Sequence, residues 1–133
     1  MIHPSLLLRR ALLADAIFSG TSAVVLTLGA GALAPLLNLP DALLRETGLF
    51  LIVYAALVGW LGTRQIMPRM WAAIVVAGNV AWTLASFALL FSSLVTPNLL
   101  GEIMVAVQAV ATGVFAELQY VGLRRSSSTV AAV

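Results

Sequence analysis

The chain has 133 residues, of which 62% are hydrophobic and 9% are charged, whereas a soluble domain carries about a quarter charged residues. Its mean hydropathy is +1.07, and we expect its surface to be solvated by lipid. The net charge of +2 comes from seven basic residues, all arginine and spread between apolar blocks, which argues against a nucleic-acid-binding face. Cysteine is absent, which excludes disulfides, thiol chemistry and cysteine-ligated metals.

Four apolar blocks are long enough to cross a bilayer, which takes about 20 helical residues. They lie at 11–33, 43–63, 70–94 and 101–123. The connectors between them are short and carry proline, so none is expected to fold separately. The predicted fold is all-α, a single four-helix transmembrane bundle over residues 1–125, followed by a disordered cytoplasmic tail at 126–133.

The arginines predict the orientation of this bundle. With an even number of crossings, one end collects Arg9, Arg10, Arg64, Arg69, Arg124 and Arg125. The other end has Arg45 beside two acidic residues. Because cytoplasmic segments carry an excess of arginine and lysine, both termini are predicted to be cytoplasmic. The lysine-free, alanine- and leucine-rich composition is typical of a GC-rich bacterial genome, so we predict a bacterial inner-membrane protein.

The first span contains an aspartate, Asp15, in an otherwise apolar stretch. Residues at i, i+4 and i+7 share one face of a helix, which places Ser19 and Ser22 beside this carboxylate. Neither arginine before the span is three or four positions away, the spacing at which side chains on one helix meet. We therefore expect the partner of Asp15 to come from another helix.

The second span places small residues on one face, at Gly48, Ala55, Gly59 and Gly62. Small residues let membrane helices approach closely. We interpret this span as a packing face that brings no ionisable group to a site.

The third span has a polar stripe that includes Asn79 near the bilayer midplane. We expect Asn79 to hydrogen-bond between helices, a bond worth about 0.6 kcal/mol on average in one membrane protein. Trp82 lies deeper than Trp60 and Trp71, which are expected at the cytoplasmic interface. Trp82 could line a pocket, but packing in the core is favoured.

The fourth span has two polar sides. One side carries Gly113, Glu117, Tyr120 and Arg124, and the other carries Gln108, Thr112 and Gln119. Glu117 lies about 10 Å short of Arg124 along the axis, at 1.5 Å per residue. By the same measure Asp15 lies about 7 Å past Arg10, so the two carboxylates are expected at similar depth.

Two interpretations of Asp15 and Glu117 stay open. In the functional one, they line a cytoplasm-facing pocket for a cation, a proton or the head of a lipophilic ligand. In the structural one, each is paired with an arginine of another helix, or hydrogen-bonded to serine and tyrosine, and fixes the bundle. We favour the structural interpretation, because both residues are near the interface, where a charged side chain costs less than at the bilayer centre.

Two segments carry a resemblance to a known group. HPSLLLRRALLADAIFSG near the start and FAELQYVGLRR near the end resemble small, uncharacterised four-helix membrane proteins of proteobacteria. The resemblance implies the same fold over the whole chain and brings no activity with it. It places Asp15 and Glu117 in its two most distinctive segments.

The spans contain no nucleophile–base pair, phosphate loop, metal cluster or haem-ligand pair, so we predict neither an enzyme nor a cofactor. The leading hypothesis is a small membrane protein that acts through association with itself, a larger membrane complex or lipid. Its contact faces would be Gly48, Ala55 and Gly59, or Gly113. The alternative is a small transporter or lipophilic-ligand-binding protein, whose candidate contacts are Asp15, Ser19, Asn79, Trp82, Glu117 and Tyr120.

Overall fold

A computed structural model describes residues 1–128 and contains four long helices. They are α1 (Leu6–Leu37), α2 (Asp41–Thr63), α3 (Arg69–Phe91) and α4 (Leu99–Arg124). All four are long and apolar enough to cross a membrane, which confirms the predicted all-α, four-helix transmembrane bundle. Two short strands, β1 (Ile2–His3) and β2 (Ser127–Ser128), flank the helices and were not predicted.

The first helix is longer than its predicted span at both ends because its caps lie outside the apolar block. At the start, the Ser5 hydroxyl accepts a hydrogen bond from the Leu8 N–H, which satisfies one of the free amides of the first turn. At the other end, α1 continues past Pro35 and stops at Asn38, whose φ of 54° is left-handed. This conformation lets the Asn38 N–H donate to the Ala34 carbonyl, a common helix ending.

Small residues of α2 pack against α1, as their spacing suggested. A Cβ at Gly48 would collide with Thr27, and one at Gly59 would lie 3.4 Å from the Cβ of Ala16. Ala55 also faces α1. This face of α2 is therefore used inside the chain, and Gly48, Ala55 and Gly59 are not free to contact a second molecule as the association hypothesis supposed.

The two termini and the α2–α3 connector meet at one end of the bundle. Ile2 and Met67 exchange backbone hydrogen bonds of 2.8 and 3.1 Å, and β1 pairs antiparallel with β2. Both side chains are buried, with 2% of Ile2 and 0% of Met67 exposed. Because the six clustered arginines flank the same helix ends, we call this the arginine end.

The expected disordered tail needs correction at its start. Ser127 and Ser128 pair with β1, and the Ser126 hydroxyl accepts a 2.9 Å hydrogen bond from the Ser5 N–H. Residues 126–128 are therefore ordered by contacts with the amino terminus, which lies more than a hundred residues away in sequence. The rest of the predicted tail, 129–133, lies outside the described residues.

Replacing Ser5 is expected to loosen this junction. The Ser5 hydroxyl donates to the Gly122 carbonyl at 2.7 Å while capping α1. Ser5→Ala should lower the free energy of unfolding by about 1–2 kcal/mol, since loss of a helix cap alone costs about 1 kcal/mol. Unfolding by SDS titration in mixed micelles measures this change, and exposed Ser93→Ala is the control. Equal shifts in the two variants would contradict the prediction.

Candidate functional site

A layer of polar side chains separates two apolar clusters of the core. The cluster at the arginine end includes Leu12, Val58 and Val75. The cluster at the opposite end includes Ala30 and Leu44. Each helix contributes at least one polar residue to the layer between them, so this layer is the place where all four helices are joined by hydrogen bonds.

Asp15 is the centre of this layer and is completely buried. Its Oδ1 accepts a 2.9 Å hydrogen bond from the Ser19 hydroxyl, one turn further along α1. Its Oδ2 accepts from the Tyr54 hydroxyl at 2.7 Å, the Asn79 amide at 2.9 Å and the Gln119 amide at 2.8 Å. We call these five residues the Asp15 network.

The network is closed by two further contacts among its neutral members. The Asn79 amide donates to Gln119 Oε1 at 2.9 Å, and the Tyr54 hydroxyl lies 3.0 Å from Asn79 Oδ1. Asn79 and Gln119 are buried, with 3% and 0% of each residue exposed. Tyr54 is half-buried, and the other four side chains are closed to solvent. Side chains satisfied in this way fix the relative positions of the helices and leave no open position for a ligand beside Asp15.

No basic side chain takes part in the network. Within residues 1–128 the one ion pair is between Arg45 and Asp41, at 2.9 Å on the exposed surface of α2. Of the two structural possibilities considered for Asp15, an arginine partner is therefore wrong. Hydrogen bonding to serine and tyrosine is confirmed through Ser19 and Tyr54.

The network contains residues that the sequence analysis placed correctly and residues that it missed. The prediction that Asn79 hydrogen-bonds between helices is confirmed. Tyr54 was missed, because α2 was interpreted as a packing face without an ionisable group. Gln119 was assigned to the side of α4 opposite Glu117, but its contact with Asp15 was not predicted. The available signal was that Gln119 is a long polar residue flanked by the small residues Ala116 and Gly122 on one face of α4.

Glu117 lies on the outer surface of α4 instead. Residues 117 and 119 are two positions apart, which turns them about 200° from each other around a helix. When Gln119 faces the core, Glu117 must face outward. Asp15 and Glu117 therefore do not line one pocket, and this part of the functional interpretation is wrong. Glu117 has no hydrogen-bond or ion-pair partner within the part of the chain that the structure describes.

Glu117 borders a groove of about 400 Å³ between α3 and α4, which we call the α3–α4 groove. Its lining includes Val76, Val80 and Leu84 from α3 and Gly113, Glu117 and Tyr120 from α4. Thr83 approaches α4 closely here, since a Cβ at Gly113 would lie 3.5 Å from its side chain. The groove is thus an apolar surface with one carboxylate at its edge.

Tyr120 and Arg124 continue the same side of α4 toward the arginine end. The Tyr120 hydroxyl accepts a 3.1 Å hydrogen bond from Arg124 Nη1, and the guanidinium carbon lies 5.9 Å from the centre of the tyrosine ring. Both side chains are exposed. Tyr120 thus lies near Glu117 on the outer face and has no contact with the Asp15 network.

Trp82 packs between helices, as favoured from the sequence. Its Nε1 donates to Gln108 Oε1 at 2.8 Å, and the Gln108 amide donates to the buried Ser86 hydroxyl at 3.0 Å. Its ring stacks on Phe50 of α2 with the ring centres 5.8 Å apart. Trp82 therefore connects α3 to both α2 and α4, apart from the Asp15 network.

Residues 1–128 contain no group of three or more histidine, cysteine, aspartate or glutamate side chains that could hold a metal ion. Of the candidate positions, Asp15, Ser19 and Asn79 belong to the Asp15 network, Glu117 and Tyr120 border the exposed α3–α4 groove, and Trp82 lies apart from both. No protein-family model, curated protein or solved structure matches the chain.

Proposed function

We propose that this multi-pass membrane protein acts by helix association, and that it presents the α3–α4 groove and Glu117 to a partner helix within the bilayer. The observation that carries the proposal is the exposed position of Glu117, which lacks a partner in residues 1–128. Its depth is about 10 Å from Arg124, at 1.5 Å per residue. We also propose a bacterial inner membrane with the arginine end in the cytoplasm, supported by the arginine distribution.

The energetics of a carboxylate in lipid support a partner. An ionised aspartate costs about 2.5–3.5 kcal/mol at the centre of a membrane helix, and less toward the interface. A helix that brings a donor to Glu117 recovers part of this cost, because polar side chains inside membranes gain from hydrogen bonds across helices. The polar side chains of the Asp15 network already hydrogen-bond to one another, whereas Glu117 lies on the outer surface without a partner in residues 1–128, so it can gain from a donor on another helix.

The shape of the groove also favours a helix. Gly113 lies one turn from Glu117 and is half-buried. It contacts Thr83 of α3 on one side and borders the groove on the other, so a second helix in the groove could approach the backbone there. Close approach at a small residue is how membrane helices gain packing energy in the absence of a hydrophobic drive. Of the four contact residues predicted from the sequence, Gly113 is the one beside an open groove on the outer surface.

Photo-cross-linking in native membranes tests the proposal. The chain has no cysteine, so a benzophenone label at Val80→Cys reports the groove alone, and one at Val53→Cys reports the exposed face of α2. We expect a protein adduct of defined mass from the groove position, lost on Glu117→Leu and kept on Glu102→Leu. An equal adduct from Val53→Cys, or one insensitive to Glu117→Leu, would overturn the proposal.

A second candidate function is supported by the composition of the groove. The α3–α4 groove, an apolar space of about 400 Å³ with one carboxylate, fits a lipophilic cation, as in a small transporter or ligand-binding protein. Glu117→Gln separates the two functions, because glutamine keeps a hydrogen-bond acceptor but loses the charge. Helix association should survive this change, whereas binding of tetraphenylphosphonium, measured by equilibrium dialysis, should be lost. Asp15 takes no part in either function, since it is sealed inside the bundle.

A further inference from the structure

The outer face of α4 carries side chains at alternating steps of four and three residues. They are Ala106, Val110, Gly113, Glu117, Tyr120 and Arg124, and we call this set the α4 seam. All six are exposed or half-buried. An average step of 3.5 residues keeps one stripe of a helix facing a partner helix along its length, as in coiled coils and left-handed membrane helix pairs.

We propose that the partner helix is α4 of a second copy of this chain, packed along the α4 seam about a two-fold axis. This proposal rests on the proposed function. A two-fold interface needs a surface that is complementary to itself. The α4 seam meets this condition, because Glu117 supplies an acceptor and Tyr120 and Arg124 supply donors on the same stripe.

The hydrogen-bond geometry of Tyr120 leaves it available to a second copy. Its hydroxyl oxygen accepts from Arg124 Nη1 at 3.1 Å, and a hydroxyl carries one hydrogen of its own to donate. No acceptor for that hydrogen is found within residues 1–128. A polarised tyrosine hydroxyl with a guanidinium behind it is a good donor for the Glu117 carboxylate of the second copy.

The two residues also lie within reach of each other in a parallel pair, since three positions correspond to about 4.5 Å along the axis. Copies inserted with the same orientation place like positions of the α4 seam at the same level. Side chains on a helix lean toward its amino terminus, and the longer tyrosine side chain reaches further in that direction than glutamate, which brings its hydroxyl closer to the level of the Glu117 carboxylate of the second copy. Two symmetric hydrogen bonds can form, and the arginines behind them offset the repulsion between the two carboxylates.

The neighbouring apolar sector of α4 provides an internal comparison. Val107, Val114 and Leu118 are exposed, at 60%, 47% and 39% of their surface. They offer neither a polar group nor a glycine, and contact with lipid solvates such an apolar face as well as contact with another helix does. A second copy should therefore bind at the α4 seam in preference to the adjacent sector.

Disulfide cross-linking of the purified protein in lipid vesicles tests the geometry. Val110→Cys lies on the α4 seam, and Leu118→Cys, on the adjacent sector, is the matched control. Under mild oxidation at a high lipid-to-protein ratio, Val110→Cys is expected to form a disulfide-linked dimer and Leu118→Cys is not. Equal dimer yields at the two positions would overturn the proposal.

A second experiment measures the dimer dissociation constant from energy transfer between labelled copies as the protein is diluted with added lipid. Glu117→Leu and Tyr120→Phe should each raise the dimer dissociation constant by about tenfold. Glu117→Gln keeps an acceptor but loses the charge, so it should raise the dissociation constant less than Glu117→Leu does, and the control Glu102→Leu should leave it near the wild-type value. These residues are exposed, so the variants should keep the fold. An unchanged dissociation constant in Glu117→Leu would overturn the proposal.

The two proposals fail in different ways. If the purified chain is monomeric in vesicles while Val80→Cys still forms a Glu117-dependent adduct with another protein in native membranes, self-association is wrong and the proposed function stands. If both experiments show no Glu117-dependent contact, both proposals are wrong. If the adduct in native membranes is a second copy of this chain, both are supported.

Discussion

Asp15→Leu is expected to lower the free energy of unfolding by about 2–3 kcal/mol, from four hydrogen bonds at about 0.6 kcal/mol each in a membrane. Leucine fills a similar space but accepts nothing, so the Gln119 amide and one Asn79 N–H lose their acceptor inside the core. Buried donors left without partners cost more than the bond itself contributes. This is the largest effect expected from a single polar substitution in the bundle.

Asp15→Asn should behave differently, with a loss below about 1 kcal/mol. The amide oxygen can take the place of Oδ2 and accept from Tyr54, Asn79 and Gln119. The amide nitrogen then takes the place of Oδ1, where the Ser19 hydroxyl can accept instead of donate. The contrast between leucine and asparagine thus tests whether the layer needs an acceptor at this position or only a residue of similar volume.

SDS titration in mixed micelles, followed by tryptophan fluorescence, measures both variants. Asp41→Asn is the control, since its exposed ion pair with Arg45 is worth at most about 0.5 kcal/mol. A double-mutant cycle with Tyr54→Phe should show a coupling of at least about 0.5 kcal/mol. The prediction is wrong if Asp15→Leu unfolds at the wild-type SDS fraction or if the cycle is additive.

The stability result bears on function because it separates the two carboxylates. Asp15 stabilises the bundle from inside, and Glu117 lies on its outer surface without a partner in residues 1–128. A folded Asp15→Asn protein should therefore retain Glu117-dependent association. The sequence analysis considered the two residues together because they lie at similar depth. Their positions around the helix axes give them different surroundings.

The number of spans could be predicted from the sequence because hydropathy determines it, whereas α1 is longer than its apolar block because its caps lie outside that block. Which side of α4 faces inward could not be predicted, since this helix carries polar residues on two sides and lipid is as apolar as the core. The choice between Glu117 and Gln119 is an example: either could have faced Asp15, and the sequence gives each a polar stripe. Tyr54 could not be predicted either, because it contributes a single hydroxyl from a helix that otherwise packs through small residues.

The small residues were recognised as contact positions, but their partners were not identifiable. Gly48 and Gly59 contact α1 of the same chain, whereas Gly113 contacts Thr83 of α3 and also borders an open groove. The same spacing is suitable for a helix of the same chain or of another molecule. The pairing of β1 with β2 could not be predicted from the sequence either, because two-residue strands have no periodicity and depend on contacts between distant segments.

The close approach of α1 and α4 at Gly122 leads to the second large effect. A Cβ at this position would lie 2.6 Å from the backbone nitrogen of Leu8 and 2.7 Å from its Cα. Backbone atoms cannot turn aside as a side chain can, so a larger residue must push the helices apart. Gly122→Leu is expected to lower the free energy of unfolding by about 3 kcal/mol, at the upper end of the cost of overpacking.

The separation would act on the two features nearest to Gly122. The Gly122 carbonyl accepts from the Ser5 hydroxyl at 2.7 Å, and Gln119, one turn earlier, reaches Asp15 from α4. Gly78→Leu is the matched control, because no atom lies within 4 Å of a Cβ at Gly78 and leucine is the better helix former by up to about 1 kcal/mol. The same SDS titration should show Gly78→Leu unchanged or more stable. If Gly122→Leu were as stable as that control, α1 and α4 would have to accommodate a side chain where the structure leaves no room, and the packing of α4 on α1 would be wrong.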